Sequence, residues 1–237
     1  MMRIDKLLAN SGYGSRKDVK KILKSGAVLC NEVKITDGKA HVDPEKDQIT
    51  VHGELVQYRE FIYLMMNKPQ GYISATEDDR LTTVLDLLEP EDAFMMPFPV
   101  GRLDRDTEGL LVLTNDGQLA HDVLAPKKHV PKTYYAIVDG AVDEVDIERF
   151  KQGVTLDDGY VTKPGELTIL KSGPQSEIEL IITEGKFHQV KRMFEAVGKR
   201  VVYLKRISMG ALKLDESLEL GEYRELTEEE LALLQTR

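Results

Sequence analysis

The chain has 237 residues, a net charge of −9 and a single cysteine, Cys30. One cysteine excludes a disulfide framework and a thiolate metal site, and it is typical of a protein from a reducing compartment. The longest apolar runs, such as residues 61–66, are far shorter than the ~20 residues that span a bilayer, and the first residues lack a signal-peptide core. We therefore expect a soluble cytoplasmic protein with one large or two modest domains.

The charge is distributed unevenly along the chain. Residues 1–42 hold nine Lys and Arg against four acids, and residues 186–206 hold seven against Glu195, so the remainder carries −20. Local fields decide where a polyanion binds, and an acidic remainder repels it from other faces. The pattern therefore predicts a nucleic-acid partner despite the negative total.

Residues 1–26 predict two helices. Apolar residues at helical spacing from Ile4 indicate a first short helix ending near Gly12. Ser15 and Asp18 match a capping box that opens a second helix, which ends at Gly26. One face of this second helix carries a basic stripe at helical spacing, formed by Lys17, Lys20, Lys21 and Lys24. The stripe is either a solvated face or a surface that binds a polyanion.

A predicted hairpin at residues 28–35, a strand at 47–51 and a linker at 52–60 follow. Beyond them, strands and helices alternate without a regular βαβ order, which favours an α+β fold with a mixed, mainly antiparallel sheet. Strands are predicted at 61–66, 110–113, 133–138, 178–182 and 201–207. Helices are predicted at 82–88 (ended by Pro90), 118–124, 145–150, 190–197 and after Thr227.

The most informative stretch runs from Gly101 to Gly117. A polar loop, residues 102–108, leads into a short apolar strand, residues 110–113. A carboxylate and a guanidinium therefore lie at the start of a buried strand, which indicates a functional site. The alternative is a solvated turn before a core strand. Asp104 and the acids after it imitate a calcium loop. The twelfth position counted from Asp104 is Asn115, however, where such a loop needs a bidentate Glu, so calcium is excluded.

The segment Gly-Arg-Leu-Asp-x-x-Thr-x-Gly-Leu, starting at Gly101, resembles the catalytic signature of the pseudouridine synthases that modify ribosomal RNA. Residues 66–72 (MNKPQGY), 132–134 (KTY) and 184–198 (EGKFHQVKRMFEAVG) match the same superfamily. The last of these, with residues 162–164 and 221–224, is most similar to the branch acting on 16S (small-subunit) rRNA. Residues 1–60 resemble an S4 RNA-binding domain with its linker, and 61–237 the catalytic domain.

This resemblance implies an isomerase that needs no cofactor and no metal. Asp104 would act as nucleophile at C1′ or as base at C2′, Tyr134 would stack on uracil, and Lys191 would face the aspartate. Arg102 would fill the space left by a flipped nucleotide, and Leu204 would close the base pocket. The expected RNA-binding residues are Arg16, Lys17, Lys20, Lys21, Lys24, Arg192, Lys205 and Arg206.

The reaction breaks the N1–C1′ bond and joins C5 to C1′, which requires a carboxylate at the sugar and a cation keeping it ionised. Asp106 and Asp116 are interpreted as turn formers, and His188 as a structural histidine. A hydrolytic glycosidase or glycosylase, a synthase acting on 23S rRNA and a non-catalytic rRNA-binding assembly factor stay open. We expect a monomer that binds rRNA, from 16S or a small-subunit assembly intermediate, and no membrane.

Overall fold

The computed structural model describes residues 1–235. They form two compact units, the first comprising Met1–Ile62 with Glu89–Met95 and the second Tyr63–Leu88 with the chain from Met96 onward. The first unit has one apolar cluster and the second has two. Along the described chain no helix is long and apolar enough to cross a membrane.

The first unit begins with two helices whose ends follow the local sequence. The Ser15 side chain accepts a hydrogen bond from the Asp18 amide and the Asp18 side chain accepts one from Ser15, so the predicted capping box is formed. Gly26 ends the second helix at φ +77°, a conformation that favours glycine. The elements are β1 Met2–Arg3, α1 Ile4–Asn10, α2 Arg16–Ser25, β2 Val28–Cys30, β3 Val33–Lys34, β4 His41–Val42, β5 Ile49–Val51, β6 Glu54–Leu55 and α3 Pro90–Phe94.

The second unit is a nine-stranded sheet with helices. Its elements are β7 Tyr63–Lys68, β8 Phe98–Pro99, β9 Glu108–Thr114, α4 Gly117–Leu124, β10 Lys132–Asp139, α5 Glu144–Gln152, β11 Glu166–Lys171, β12 Gln175–Ile182, α6 Gln189–Ala196, β13 Arg200–Met209, β14 Leu212–Lys213, β15 Tyr223–Glu225 and α7 Glu228–Gln235. Short 3-10 turns occupy Val84–Leu87 and Pro126–Lys128.

The strand order is β11-β12-β10-β13-β9-β7-β15, with β14 on β13 and β8 on β9. Every pairing in this sheet is antiparallel except that of β13 with β9, which joins only Lys205 to Glu108 and Arg206 to Gly109. Gly109 has φ +102°, and a Cβ there would lie 2.2 Å from the Arg206 carbonyl oxygen. Glycine therefore permits the close approach that joins the two halves of the sheet.

The α+β class and the mainly antiparallel mixed sheet are confirmed. Two local predictions were wrong. Pro90 does not end a helix: the preceding turn is a 3-10 segment, and Pro90 begins α3, where its missing N–H costs no hydrogen bond. Within the supposed linker, Glu54–Leu55 forms β6, which extends the small sheet beside β5. Strand β11 at the sheet edge was not predicted at all.

Candidate active site

A cavity of about 1420 Å³ opens in the second unit. Its walls come from the loop before β9, from strands β10 and β13, and from the segment that leads into α6. Among the predicted site residues, it gathers Arg102, Asp104, Tyr134, Leu204 and Arg206. These residues lie up to about a hundred positions apart in the chain, so the fold itself creates the site.

The Asp104 loop is a tight turn held from below by a buried lysine. The amide of Thr107 donates to the carbonyl of Asp104 at 3.0 Å, which closes a turn over the residues between. The Lys68 side chain is fully buried at the end of β7, and its Nζ donates to the carbonyl oxygens of Pro69, Asp104 and Thr107 at 2.9–3.1 Å. One buried ammonium therefore binds three carbonyl oxygens of this region, including the Asp104 oxygen that also accepts the Thr107 amide.

The segment after Lys68 fixes the same loop from its side. The Gly71 amide donates to the Arg105 carbonyl at 2.8 Å, and Arg105 Nε donates back to the Gly71 carbonyl at 3.1 Å. Ser74 Oγ donates to the Leu103 carbonyl and accepts from the Leu103 amide, both at 3.0 Å. Residues 68–74 are therefore a scaffold for the Asp104 turn, which explains the proximity of two motifs that are distant in the sequence.

Lys191 reaches the turn from helix α6. Its Nζ lies 3.2 Å from Oδ2 of Asp104 and 2.6 Å from Oδ1 of Asp106. The Lys191 side chain is only 17% exposed, whereas that of Asp104 is 29% exposed and is open to the cavity. The arrangement places a partly desolvated cation beside a carboxylate that a ligand can still reach.

Burial and charge act against each other around this turn. Burial lowers the pKa of Lys68 to about 8, although the carboxylates of Asp104, Asp106 and Glu108 favour its charged form. For Asp106, burial works to raise the pKa, but the hydrogen bond and charge of Lys191 outweigh it and hold the pKa below its ordinary value. The turn is therefore stabilised by two lysines of different character, one buried beneath it and one facing its acids.

The flat wall of the cavity comes from the sheet. Tyr134 of β10 lies opposite Arg206 of β13, and two residues further along β10 Ala136 lies opposite Leu204. Tyr134 and Leu204 both face the cavity. Because side chains alternate along a strand, Tyr135 points the other way, where its hydroxyl donates to Glu177 at 2.9 Å. Arg102 lies at the rim with an exposed side chain.

Glu184 organises the segment before α6. Its Oε1 accepts from the Lys163 amide at 2.9 Å and from Gln189 Nε2 at 2.7 Å, while its Oε2 accepts from the Tyr160 hydroxyl at 2.7 Å. The hydrogen bond to Glu184 is the largest cause of the raised pKa of Tyr160, with burial second. This carboxylate therefore serves structure, although it belongs to one of the motifs.

The structure separates the predicted RNA contacts into three groups. Arg16 and the lysines of the stripe are exposed on α2 in the first unit. Arg192 forms ion pairs with Asp157 and Asp158, and only 14% of its side chain is exposed. On β13, Lys205 is not among the cavity residues, whereas Arg206 is, and it is 3% exposed with Nε donating to the Leu110 carbonyl at 2.8 Å. Less side-chain surface is therefore available for RNA contact than the sequence predicted for Arg192, Lys205 and Arg206.

Sequence reasoning missed the roles of three residues. Lys68 was given no role beyond its place in the 66–72 motif, and Asp106 was interpreted only as a turn former. In the structure Lys68 binds the Asp104 carbonyl, and Asp106 binds Lys191, the cation that faces Asp104. His188 was interpreted as structural, but its Nε2 lies 3.7 Å from Oδ1 of Asp104 at the cavity wall. A Lys-Pro pair directly after an apolar strand was the one available signal for Lys68. Among residues 1–235 no cluster of three His, Cys, Asp or Glu side chains could hold a metal.

A carboxylate with a cation partner, a tyrosine wall and an arginine at the rim are the kinds of group that chemistry at a sugar carbon requires. The profile of the RNA pseudouridylate synthase family matches residues 62–196, and that of the S4 domain matches residues 2–49.

Full-length relatives agree with this match. An uncharacterised RNA pseudouridine synthase, YtzG, of Bacillus subtilis is 60% identical over 98% of both chains. The ribosomal small subunit pseudouridine synthase A of Yersinia pestis is 40% identical over 98% of this chain and 97% of its own. A crystal structure of a pseudouridylate synthase superposes with a TM-score of 0.69 at 37% identity, covering 99% of this chain and 100% of the other. The chain belongs to the RNA pseudouridylate synthase family and carries an S4 domain; it is an isomerase.

Proposed function

We propose that this enzyme converts one uridine of 16S ribosomal RNA to pseudouridine, without a cofactor. The observation that carries the proposal is the 3.2 Å contact between Lys191 Nζ and Asp104 Oδ2 in a cavity that Tyr134 and Leu204 also line. The name of the relative from Yersinia pestis supports the small-subunit substrate, since the two chains align over nearly their full lengths.

In this mechanism Asp104 acts at the ribose of the target, either as nucleophile at C1′ or as base at C2′. The N1–C1′ bond breaks, the uracil turns against the ring of Tyr134, and its C5 forms the new bond to C1′, which restores Asp104. The C5 proton is lost and N1 takes up a proton, so the product is an isomer of uridine. Lys191 faces Asp104 at 3.2 Å, so a cation lies beside the carboxylate that acts at the ribose. Leu204, which is 5% exposed, closes the pocket on its apolar side.

The target must leave its helix to enter the cavity. Flipping costs a few kcal/mol of lost stacking and pairing. Arg102 lies exposed at the rim, where its guanidinium can occupy the vacated position and contact phosphate. Residues 1–60, with Arg16 and the lysines of the stripe, would hold the rRNA by its phosphates, and residues 61–237 would perform the chemistry. Lys205, Arg192 and Arg206 would add RNA contacts close to the cavity.

Release of tritium from 16S rRNA labelled at C5 of uridine tests the reaction, because only bond formation at C5 expels that hydrogen. A glycosidase would instead release free uracil, and an assembly factor would release neither. Carbodiimide mapping of 16S and 23S rRNA from a strain lacking the gene then identifies the nucleotide. Loss of a pseudouridine from 23S rRNA alone would contradict the small-subunit assignment.

A further inference from the structure

Phe187 is an apolar ring that the structure leaves open at the edge of the active-site cavity. It lines the cavity with 72% of its surface exposed, directly before α6. A single exposed apolar side chain is common on protein surfaces, so the position of this ring at the active-site cavity is what makes it a candidate for ligand binding. The mechanism above assigns Phe187 no role.

The backbone on either side of this ring is held in place. The Lys186 amide donates to Gln189 Oε1 at 2.8 Å, and the Gln189 amide donates to the Lys186 carbonyl at 3.1 Å. Arg192 Nη1 donates to the Phe187 carbonyl at 3.3 Å. Ordering a flexible loop would weaken binding, so a ring presented on a fixed backbone is prepared for contact with a ligand.

One face of the phenyl ring is already covered. The ring of His188 stacks on it with centroids 3.8 Å apart and planes inclined by 18°. His188 Nε2 in turn lies 3.7 Å from Oδ1 of Asp104. A flat ligand on the open face of Phe187 would therefore be separated from the Asp104 site by two stacked rings, the phenyl of Phe187 and the imidazole of His188.

The surroundings of the ring indicate the chemistry of that ligand. The Lys186 ammonium lies 4.6 Å from the centroid of the Tyr160 ring, and Lys163 also lines this side of the cavity, so cations border the aromatic rings. Unpaired RNA bases stack on aromatic side chains while lysines contact the phosphates between them. A flat group on an anionic chain satisfies both features, whereas an apolar peptide brings no negative charge to these cations.

We propose that Phe187, backed by His188, is a stacking platform for an unpaired nucleobase that flanks the target uridine in the RNA. The platform rests on the proposed function and adds a second nucleotide to the recognised substrate. Stacking on any base is possible, so the platform would hold the strand in register without choosing the sequence.

A double-variant cycle between protein and RNA tests the platform. The substrate is a 16S transcript assembled by splinted ligation, in which one nucleotide among the two on each side of the mapped uridine lacks its base. Phe187→Leu keeps an apolar side chain but removes the ring, and Phe187→Tyr keeps the ring. Leu170→Ala is the control, because Leu170 is 51% exposed on β11 and does not line the cavity.

On the intact transcript we expect Phe187→Leu to raise KM roughly tenfold, within the range of base–aromatic stacking, with kcat nearly unchanged. Phe187→Tyr and Leu170→Ala should resemble the wild type. One abasic transcript should raise the wild-type KM similarly and add nothing to the effect of Phe187→Leu. Additive effects on every abasic transcript, an unchanged KM, or a fall in kcat alone would overturn the platform while leaving the proposed function intact. No tritium release by the wild type on the intact transcript would overturn both.

Discussion

The Nζ atom of Lys191 contacts two carboxylates at once, Asp104 at 3.2 Å and Asp106 at 2.6 Å. The shorter contact is to the acid that the mechanism does not use. Asp106 is 68% exposed at its side chain, so water screens that pair, whereas Asp104 faces the cavity. Lys191 therefore has a screened partner in Asp106 and at the same time faces Asp104 in the cavity.

We expect Asp104→Asn to reduce kcat at least ~1000-fold, since a covalent or proton-abstracting role tolerates no neutral substitute. Folding should be nearly unaffected, because Lys191 keeps Asp106 as its partner. The matched control is Asp106→Asn, the same change two residues along, which should retain most activity. Tritium release and thermal unfolding measure both; an Asp104→Asn enzyme above a thousandth of wild-type turnover would remove Asp104 from the chemistry.

Lys191→Met should change the pH profile as well as the rate. Without the cation, the cavity favours the protonated carboxylic acid, so the acid limb of activity should move to higher pH and activity should partly return in alkaline buffer. Lys191→Arg should keep more activity, since it keeps the charge. Turnover against pH on one transcript checks this. A loss of equal size at every pH would mean that Lys191 contacts RNA or packs, and does not support Asp104.

Lys68 should set an alkaline limb near its pKa of about 8. Above that pH the side chain has one N–H fewer for the carbonyls of Pro69, Asp104 and Thr107, so the Asp104 turn loosens and turnover falls. The effect on stability has the opposite sign. Because the unfolded lysine keeps its proton to about 10.5, the unfolded state binds more protons above pH 8, and this group makes stability increase with pH. Turnover and unfolding between pH 7 and 10 measure the two effects.

Lys191→Arg again provides the control for this limb. Arginine does not titrate in this range, so an alkaline limb that persists in the variant belongs to another group, as the buried Lys68 predicts. If the limb disappears in Lys191→Arg, Lys191 is the titrating residue.

Changing Lys17, Lys20, Lys21 and Lys24 to Gln should weaken RNA binding and flatten its salt dependence. Each lost phosphate contact should reduce the slope of log K against log salt by about 0.7–0.9. Turnover at saturating RNA should survive, because none of these residues lines the cavity. Lys151→Gln with Lys171→Gln removes exposed charges on other elements and serves as the control. An unchanged slope would identify the stripe as a solvated face.

Gly109→Ala should destabilise the second unit by roughly 3 kcal/mol or more, because the new Cβ would both strain the backbone and meet the Arg206 carbonyl. Gly159→Ala isolates the strain: its φ is +83°, but nothing lies within 4 Å of an added Cβ. That control should cost only about 1 kcal/mol. Urea unfolding of both variants checks the difference, and equal losses would show that the contact between β9 and β13 can relax.

Local rules in the sequence predicted the elements whose cause is local. Ser15, Asp18 and Gly26 bound α2 as expected, and the apolar spacing of α6 buries Val190, Met193 and Phe194. The resemblance placed Lys191 opposite Asp104, and the two side chains do meet. What these predictions share is that each rests on residues within one turn of helix or on a recognised motif.

The parts that could not be predicted depend on tertiary contacts. Nothing in its neighbours shows that Lys68 is fully buried, because its partners are carbonyls 36 and 39 residues away. The charge of Arg192 indicated an RNA contact, but Asp157 and Asp158 bind it after a reversal of the chain. Strand β11 has mixed polar and apolar residues and is ordered by its pairing with β12. Pattern analysis has no access to such distant partners.

The junction of β9 with β13 assembles the active site from two halves of the sheet that are far apart in the chain. Asp104 precedes β9 in one half of the sheet, whereas Tyr134 and Leu204 belong to the other half and Lys191 to the helix just before β13. Two register pairs join the halves. A chain still emerging from the ribosome holds the carboxylate long before it holds the cation and the pocket wall. The complete site therefore exists only after the chain has been synthesised past Leu204 and the two halves of the sheet have paired.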